Sequence, residues 1–72
     1  MWVAFNAPHS PFEAPPDNLH SYGDLSKITD PYVRSVQTYR AMIEAMDREI
    51  GRLLGSMSPE VRANTHIIYV GD

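Results

Sequence analysis

Residues 2–12 read Trp2-Val3-Ala4-Phe5-Asn6-Ala7-Pro8-His9-Ser10-Pro11-Phe12, a short apolar run that breaks into a loop holding one histidine between two prolines. The apolar run predicts a buried strand over residues 1–6, and the loop its carboxyl-terminal exit. Proline fixes its own φ and drives the preceding residue toward extended conformations, so Ala7 and Ser10 have little freedom. His9 is therefore mounted on a stiffened backbone, as a side chain meant to meet a ligand would be.

Outward from that loop, residues 7–30 form one long, polar, proline-containing connection without a sustained period of 2 or 3.6. A connection of this length within a compact unit is expected to be a functional rim or a mobile segment. Asp30-Pro31 then signals a helix start: the carboxylate caps free N–H groups and proline fits the first helical position. From there Val36, Tyr39, Ile43, Met46, Ile50, Leu53 and Met57 recur at alternating spacings of three and four, an apolar stripe on one face. The expected helix covers residues 31–54, with Gly55 as its stop and Ser58-Pro59 starting a further turn. Gly51 lies inside it, either as a tolerated imperfection or at a close approach to a neighbouring backbone. Met42, Met46 and Met57 read as core filling, and Glu44, Asp47 and Glu49 as solvated or paired.

The chain closes on Asn64-Thr65-His66-Ile67-Ile68-Tyr69-Val70-Gly71-Asp72. A β-branched and aromatic run without alternation predicts a strand over residues 66–70 buried on both faces, as in a parallel sheet. Strand, long connection with helix, and strand make a right-handed βαβ unit. The expected fold class is α/β, the unit being one segment of a doubly wound, mostly parallel sheet. In such a sheet both carboxyl ends share the edge where ligands bind, which brings His9 and Asp72 to one rim. His66 starts the second strand, roughly 20 Å from Asp72 at about 3.3 Å per residue, and is excluded from that rim. His20 reads as a solvated loop residue, and His9, His20 and His66 have no zinc spacing.

Composition narrows the function classes. The 72 residues allow at most one small domain, and the absence of cysteine removes disulfides, thiolate zinc sites and cysteine nucleophiles. Six basic and nine acidic residues, scattered along a chain of net charge −3, argue against a nucleic-acid or anionic-membrane surface. The apolar run at residues 1–5 is far too short to span a bilayer, and no export signal is visible in this stretch. Two strands apolar on both faces require more strands and helices than one long helix provides. The chain is accordingly expected to be an internal piece of a larger α/β protein.

Three segments carry a family resemblance, in order and at compatible spacing. Ala4-Phe5-Asn6-Ala7-Pro8-His9-Ser10-Pro11-Phe12-Glu13-Ala14-Pro15 resembles the strand and Ala-Pro-His-x-Pro loop of the sulfatase family, within the alkaline-phosphatase-like superfamily. Tyr39-Arg40-Ala41-Met42-Ile43-Glu44-Ala45-Met46-Asp47-Arg48-Glu49-Ile50-Gly51 resembles its helix, and residues 64–72 its strand ending in a small residue and Asp. The resemblance implies hydrolysis of a small-molecule or glycan sulfate ester by a formylglycine made from a Cys/Ser-x-Pro-x-Arg motif. It also implies a divalent metal, calcium in most members, held by acidic and amide side chains. By match, His9 is the catalytic and substrate-binding histidine at the sulfate, and Asp72 is a metal ligand. A periplasmic or secreted location is compatible with the resemblance.

The chemistry suits these residue types. Charge moves to the leaving oxygen as a sulfate ester breaks, and a histidine can donate a proton there. A hard cation prefers oxygen ligands such as a carboxylate and polarises the sulfuryl oxygens. The nucleophile motif, however, is absent: Asn6, His9, Glu13, Ala14, Thr29 and Met57 stand two residues before the six prolines. The chain by itself is expected to be inactive and to need the remainder of its catalytic domain. Two alternatives remain open at this level. One is a phosphoric ester hydrolase of the same superfamily; the other is a non-catalytic fragment associating through strand edges.

Overall fold

The fold was analysed in a computed structural model that describes residues 1–71. It is built on one long helix, α1 (Pro31–Gly55), followed by a short α2 (Pro59–Ala63). Two 3-10 turns, Asp17–Leu19 and Leu25–Lys27, lie in the connection before α1 and pack against it.

Helix α1 begins where the sequence directs. The Asp30 carboxylate accepts from Tyr32 N–H at 2.9 Å and Val33 N–H at 3.1 Å, and Pro31 occupies the first turn. These bonds satisfy donors that the first helical turn leaves free. The other end stops without a left-handed glycine, since among the described residues only Gly23 has a positive φ, of +73°. Instead Ser56 caps: its N–H reaches the Arg52 carbonyl and its hydroxyl the Leu53 carbonyl at 2.6 Å. Arg62 of α2 donates to the Leu54 carbonyl at 3.1 Å, so a side chain completes what Gly55 was expected to do.

The expected βαβ sheet is not formed. Among the described residues there is no strand, and residues 1–6 and 66–70 carry no regular structure. Trp2 is 85% and Ile68 83% exposed, so neither segment is covered on even one face. The physical reason is that a strand exists only through pairing. A lone two-stranded pair is marginal in water, and β propensity largely reports packing against neighbours. With the sheet goes the shared edge that was to unite His9 and Asp72.

The core is small and lies on an unexpected side of α1. Thr38, Ala41, Met42 and Ala45 are buried against the connection, whose Leu25 and His20 are buried in turn. At 100° per residue these four positions lie about a third of a turn away from the stripe Val36-Tyr39-Ile43-Met46-Ile50-Leu53. Small residues let an irregular backbone come close, and its polar groups need partners there. Those partners flank the same face: Glu44 accepts from Ser21 N–H, and Arg48 donates to the Asn18 carbonyl. The large apolar stripe is left half-covered, with Tyr39 40% and Ile43 38% exposed.

Candidate functional site

The loop carrying His9 is shaped by its own backbone. His9 N–H bonds the Asn6 carbonyl at 3.0 Å, closing a turn over Ala7 and Pro8, and both the Ala7–Pro8 and Ser10–Pro11 peptides are cis. Three residues further on, the Phe12 ring rests on Tyr39 of α1 with centroids 5.3 Å apart and planes tilted by 58°. This offset geometry suits the aromatic quadrupoles and ties the loop to the helix.

His9 itself is exposed. Its Nδ1 lies 2.6 Å from the Ser10 carbonyl oxygen, an atom that can only accept, so Nδ1 carries the proton. Nε2 then takes no partner among the described residues and is the nitrogen available to a ligand. A backbone-held Nδ1–H fixes both tautomer and ring orientation, an arrangement used wherever a histidine must present one defined nitrogen. The sequence made His9 the candidate; its neighbouring carbonyl decides which ring atom can act.

A second part of the connection is clasped to α1. The Glu44 carboxylate accepts from Ser21 N–H at 3.1 Å, from the Ser21 hydroxyl at 3.0 Å and from Arg48 at 2.9 Å. The Ser21 backbone bond, ahead of the Ser21 hydroxyl and Arg48, holds the Glu44 carboxyl below the ordinary glutamate range, against the opposing effect of desolvation. Asp24 is likewise lowered, by the Ser26 hydroxyl and N–H that it caps. Beside the clasp an open groove of about 450 Å³ is lined by Tyr22, Arg40, Ile43, Glu44 and Asp47; it does not include His9.

His20 departs from the sequence reading. It is buried rather than solvated, its Nδ1 accepts from Tyr22 N–H at 3.1 Å, and its Nε2 lies 3.7 Å from Asp17 without a hydrogen bond. It is a buried packing residue of the connection. The signal available in the sequence was its place between Leu19 and Leu25, the two leucines of the 3-10 turns. His66 is exposed in an irregular segment. Asp72, the expected metal ligand, lies outside the described residues. Among the described residues, no three His, Asp or Glu side chains are grouped to hold a metal ion. No helix among them is long and apolar enough to cross a membrane.

Comparison with known proteins agrees with the ordered segments. A family model described as Sulfatase matches residues 1–72. The uncharacterized sulfatase YidJ of Escherichia coli strain K12 is 27% identical over 99 aligned residues, covering 100% of this chain and 20% of the relative. The chain thus spans about one fifth of that relative's length. No solved structure matches it.

Proposed function

This chain belongs to the sulfatase family, and from that premise we propose that it supplies the leaving-group histidine of a sulfate-ester hydrolase. The observation that carries the reading is the family match across residues 1–72, which includes the loop of His9. The local geometry supports it: with Nδ1–H given to the Ser10 carbonyl, Nε2 is the atom that can meet a sulfate ester.

The step assigned to this chain is proton donation. A nucleophile attacks sulfur, the bond from sulfur to the ester oxygen breaks, and its electron pair goes to that oxygen. Protonated His9 donates from Nε2 to the departing oxygen and is left neutral. Positioned acid catalysis of this kind contributes on the order of 10²–10⁴-fold in rate. The nucleophile comes from residues this chain does not contain, since no Cys/Ser-x-Pro-x-Arg motif occurs in it. A divalent cation, calcium by family resemblance, is proposed to take Asp72 as one ligand. The described residues offer no ligand set of their own for it, so the role of His9 is argued without it.

The test is hydrolysis of an aryl sulfate by the purified chain and by a longer polypeptide joining it to a sulfatase nucleophile segment. The chain alone is expected to be inert. The longer polypeptide is expected to turn over, and His9→Ala to slow it by about 10²–10⁴-fold. Chelator-sensitive turnover by the chain alone, or an undiminished His9→Ala rate, refutes the proposal. Faster turnover of the matching aryl phosphate assigns the site to phosphoric esters instead.

A further inference from the structure

His9 keeps its proton on Nδ1 only while that nitrogen faces the Ser10 carbonyl, so whatever aims the carbonyl decides which ring nitrogen is free. Ser10 precedes a proline and is confined to extended conformations. Its carbonyl lies in the planar Ser10–Pro11 peptide, and the Pro11 ring fixes the next φ at about −65°. One soft torsion, the ψ of Pro11, therefore separates the plane that holds this carbonyl from the peptide plane of Phe12. Where the backbone of Phe12 is held, the Ser10 carbonyl has little room to turn away.

Phe12 is held by Tyr39. Their ring centroids lie 5.3 Å apart with planes tilted by 58°, and the contact is ring on ring, which makes the Tyr39 hydroxyl dispensable. Tyr39 is a fixed platform, because its helix neighbours Thr38 and Met42 are buried against the connection. The hydrogen bonds of residues 1–12, His9 N–H to Asn6 and His9 Nδ1–H to Ser10, stay within that segment among the described residues. The tie to α1 is thus apolar. With Phe12 42% and Tyr39 40% exposed, each ring gives one face to the contact, which weights the loop rather than locking it. A pair of this kind favours the seated loop by about 2- to 10-fold beyond its area burial.

We propose that Tyr39 and Phe12 are positioning residues for His9: their ring contact holds the Ser10 carbonyl where it takes the Nδ1 proton and leaves Nε2 to the substrate. Both act through the orientation of the imidazole and not on the reacting atoms. The protonated ring carries a proton on each nitrogen. The one bonded to Ser10 is retained, and the one on Nε2 passes to the departing oxygen while the nitrogen keeps the electron pair. The consequence for the reaction rests on the proton-donor role proposed for His9, whereas the tautomer does not.

Nitrogen-15 NMR of the His9 ring in the full 72-residue chain tests it, at about pH 8 where an ordinary imidazole is neutral. The parent is expected to show the Nδ1–H tautomer as its major form. Phe12→Ala and Tyr39→Ala should each lower the ratio of Nδ1–H to Nε2–H by about 2- to 10-fold, and Tyr39→Phe should keep the parent ratio. Phe12 lies outside α1 and alanine is the stronger helix former at position 39, so the helix persists in both, which circular dichroism checks. In the longer polypeptide joined to a sulfatase nucleophile segment, Tyr39→Ala should slow aryl-sulfate turnover by a similar factor. It should add no further loss once His9 is replaced by alanine. A parent dominated by the Nε2–H tautomer, or a ratio that either alanine variant leaves unmoved, overturns the proposal. So does a Tyr39→Phe ratio as low as that of Tyr39→Ala, or a Tyr39→Ala loss that persists in the His9→Ala background. An undiminished His9→Ala rate instead refutes the proton-donor reading, and the tautomer ratios alone then decide the positioning.

Discussion

Replacing Asp30 by alanine should destabilise the chain by about 1–2 kcal/mol, and the structure says how that loss divides. One carboxylate oxygen accepts from both Tyr32 N–H and Val33 N–H, at 2.9 and 3.1 Å. Loss of a side-chain cap costs about 1 kcal/mol. Loss of a negative charge at a helix amino terminus adds roughly 0.3–1 kcal/mol. The damage does not spread far, because Arg34 still donates to the Ile28 carbonyl at 2.9 Å and to the Ser26 carbonyl at 3.3 Å. Asp30→Asn keeps an acceptor oxygen and removes only the charge, so it should cost the smaller share alone. For a domain of this size each kcal/mol moves Tm by roughly 4–8 °C. Thermal unfolding followed by far-ultraviolet circular dichroism should therefore rank parent, Asp30→Asn and Asp30→Ala in falling order. The ranking should compress in high salt as the charge contribution is screened. An Asp30→Ala curve that overlays the parent, or an Asp30→Asn curve as low as that of Asp30→Ala, refutes the capping argument.

Two further outcomes follow from α1. A Cβ built on Gly51 meets nothing within 4 Å, so Gly51→Ala should stabilise by about 0.8–1 kcal/mol, read as a higher urea midpoint at unchanged slope. The Glu44 clasp should also be acid-sensitive. Because its folded carboxyl is depressed, its contribution is complete above the unfolded glutamate range near about pH 4.3 and is lost as pH falls through the lower folded value. Amide exchange at Ser21, taken relative to its intrinsic rate at each pH, should accelerate across that acid window in the parent. In Glu44→Gln it should be fast already at neutral pH, with no such transition.

Local signals were sufficient for what local chemistry governs. Asp30 and Pro31 mark the start of α1 within reach of their own neighbours, and its expected end at residue 54 differs from Gly55 by one position. The same holds for His9, whose loop turns on contacts within a few residues. Its free nitrogen was not legible, because that depends on where the Ser10 carbonyl turns. His20 shows the opposite case. Its polar neighbours Ser21 and Tyr22 suggested solvent, whereas burial follows from Leu25 and α1 arriving over it.

The sequence by itself determined the long helix, its cap, the apolar stripe of Val36 through Met57 and the family to which the chain belongs. Each of these is carried by residue order and short-range spacing. Only the tertiary structure decided that residues 1–6 and 66–70 form no sheet among the described residues, and that the connection buries Ala41 and Ala45 while covering Tyr39 only in part. Strand pairing and face selection depend on what stands opposite. A β-rich segment without a neighbour to accept its hydrogen bonds has no ladder to join. An irregular connection settles where Glu44 and Arg48 can satisfy its backbone, and the larger apolar stripe stays half-covered.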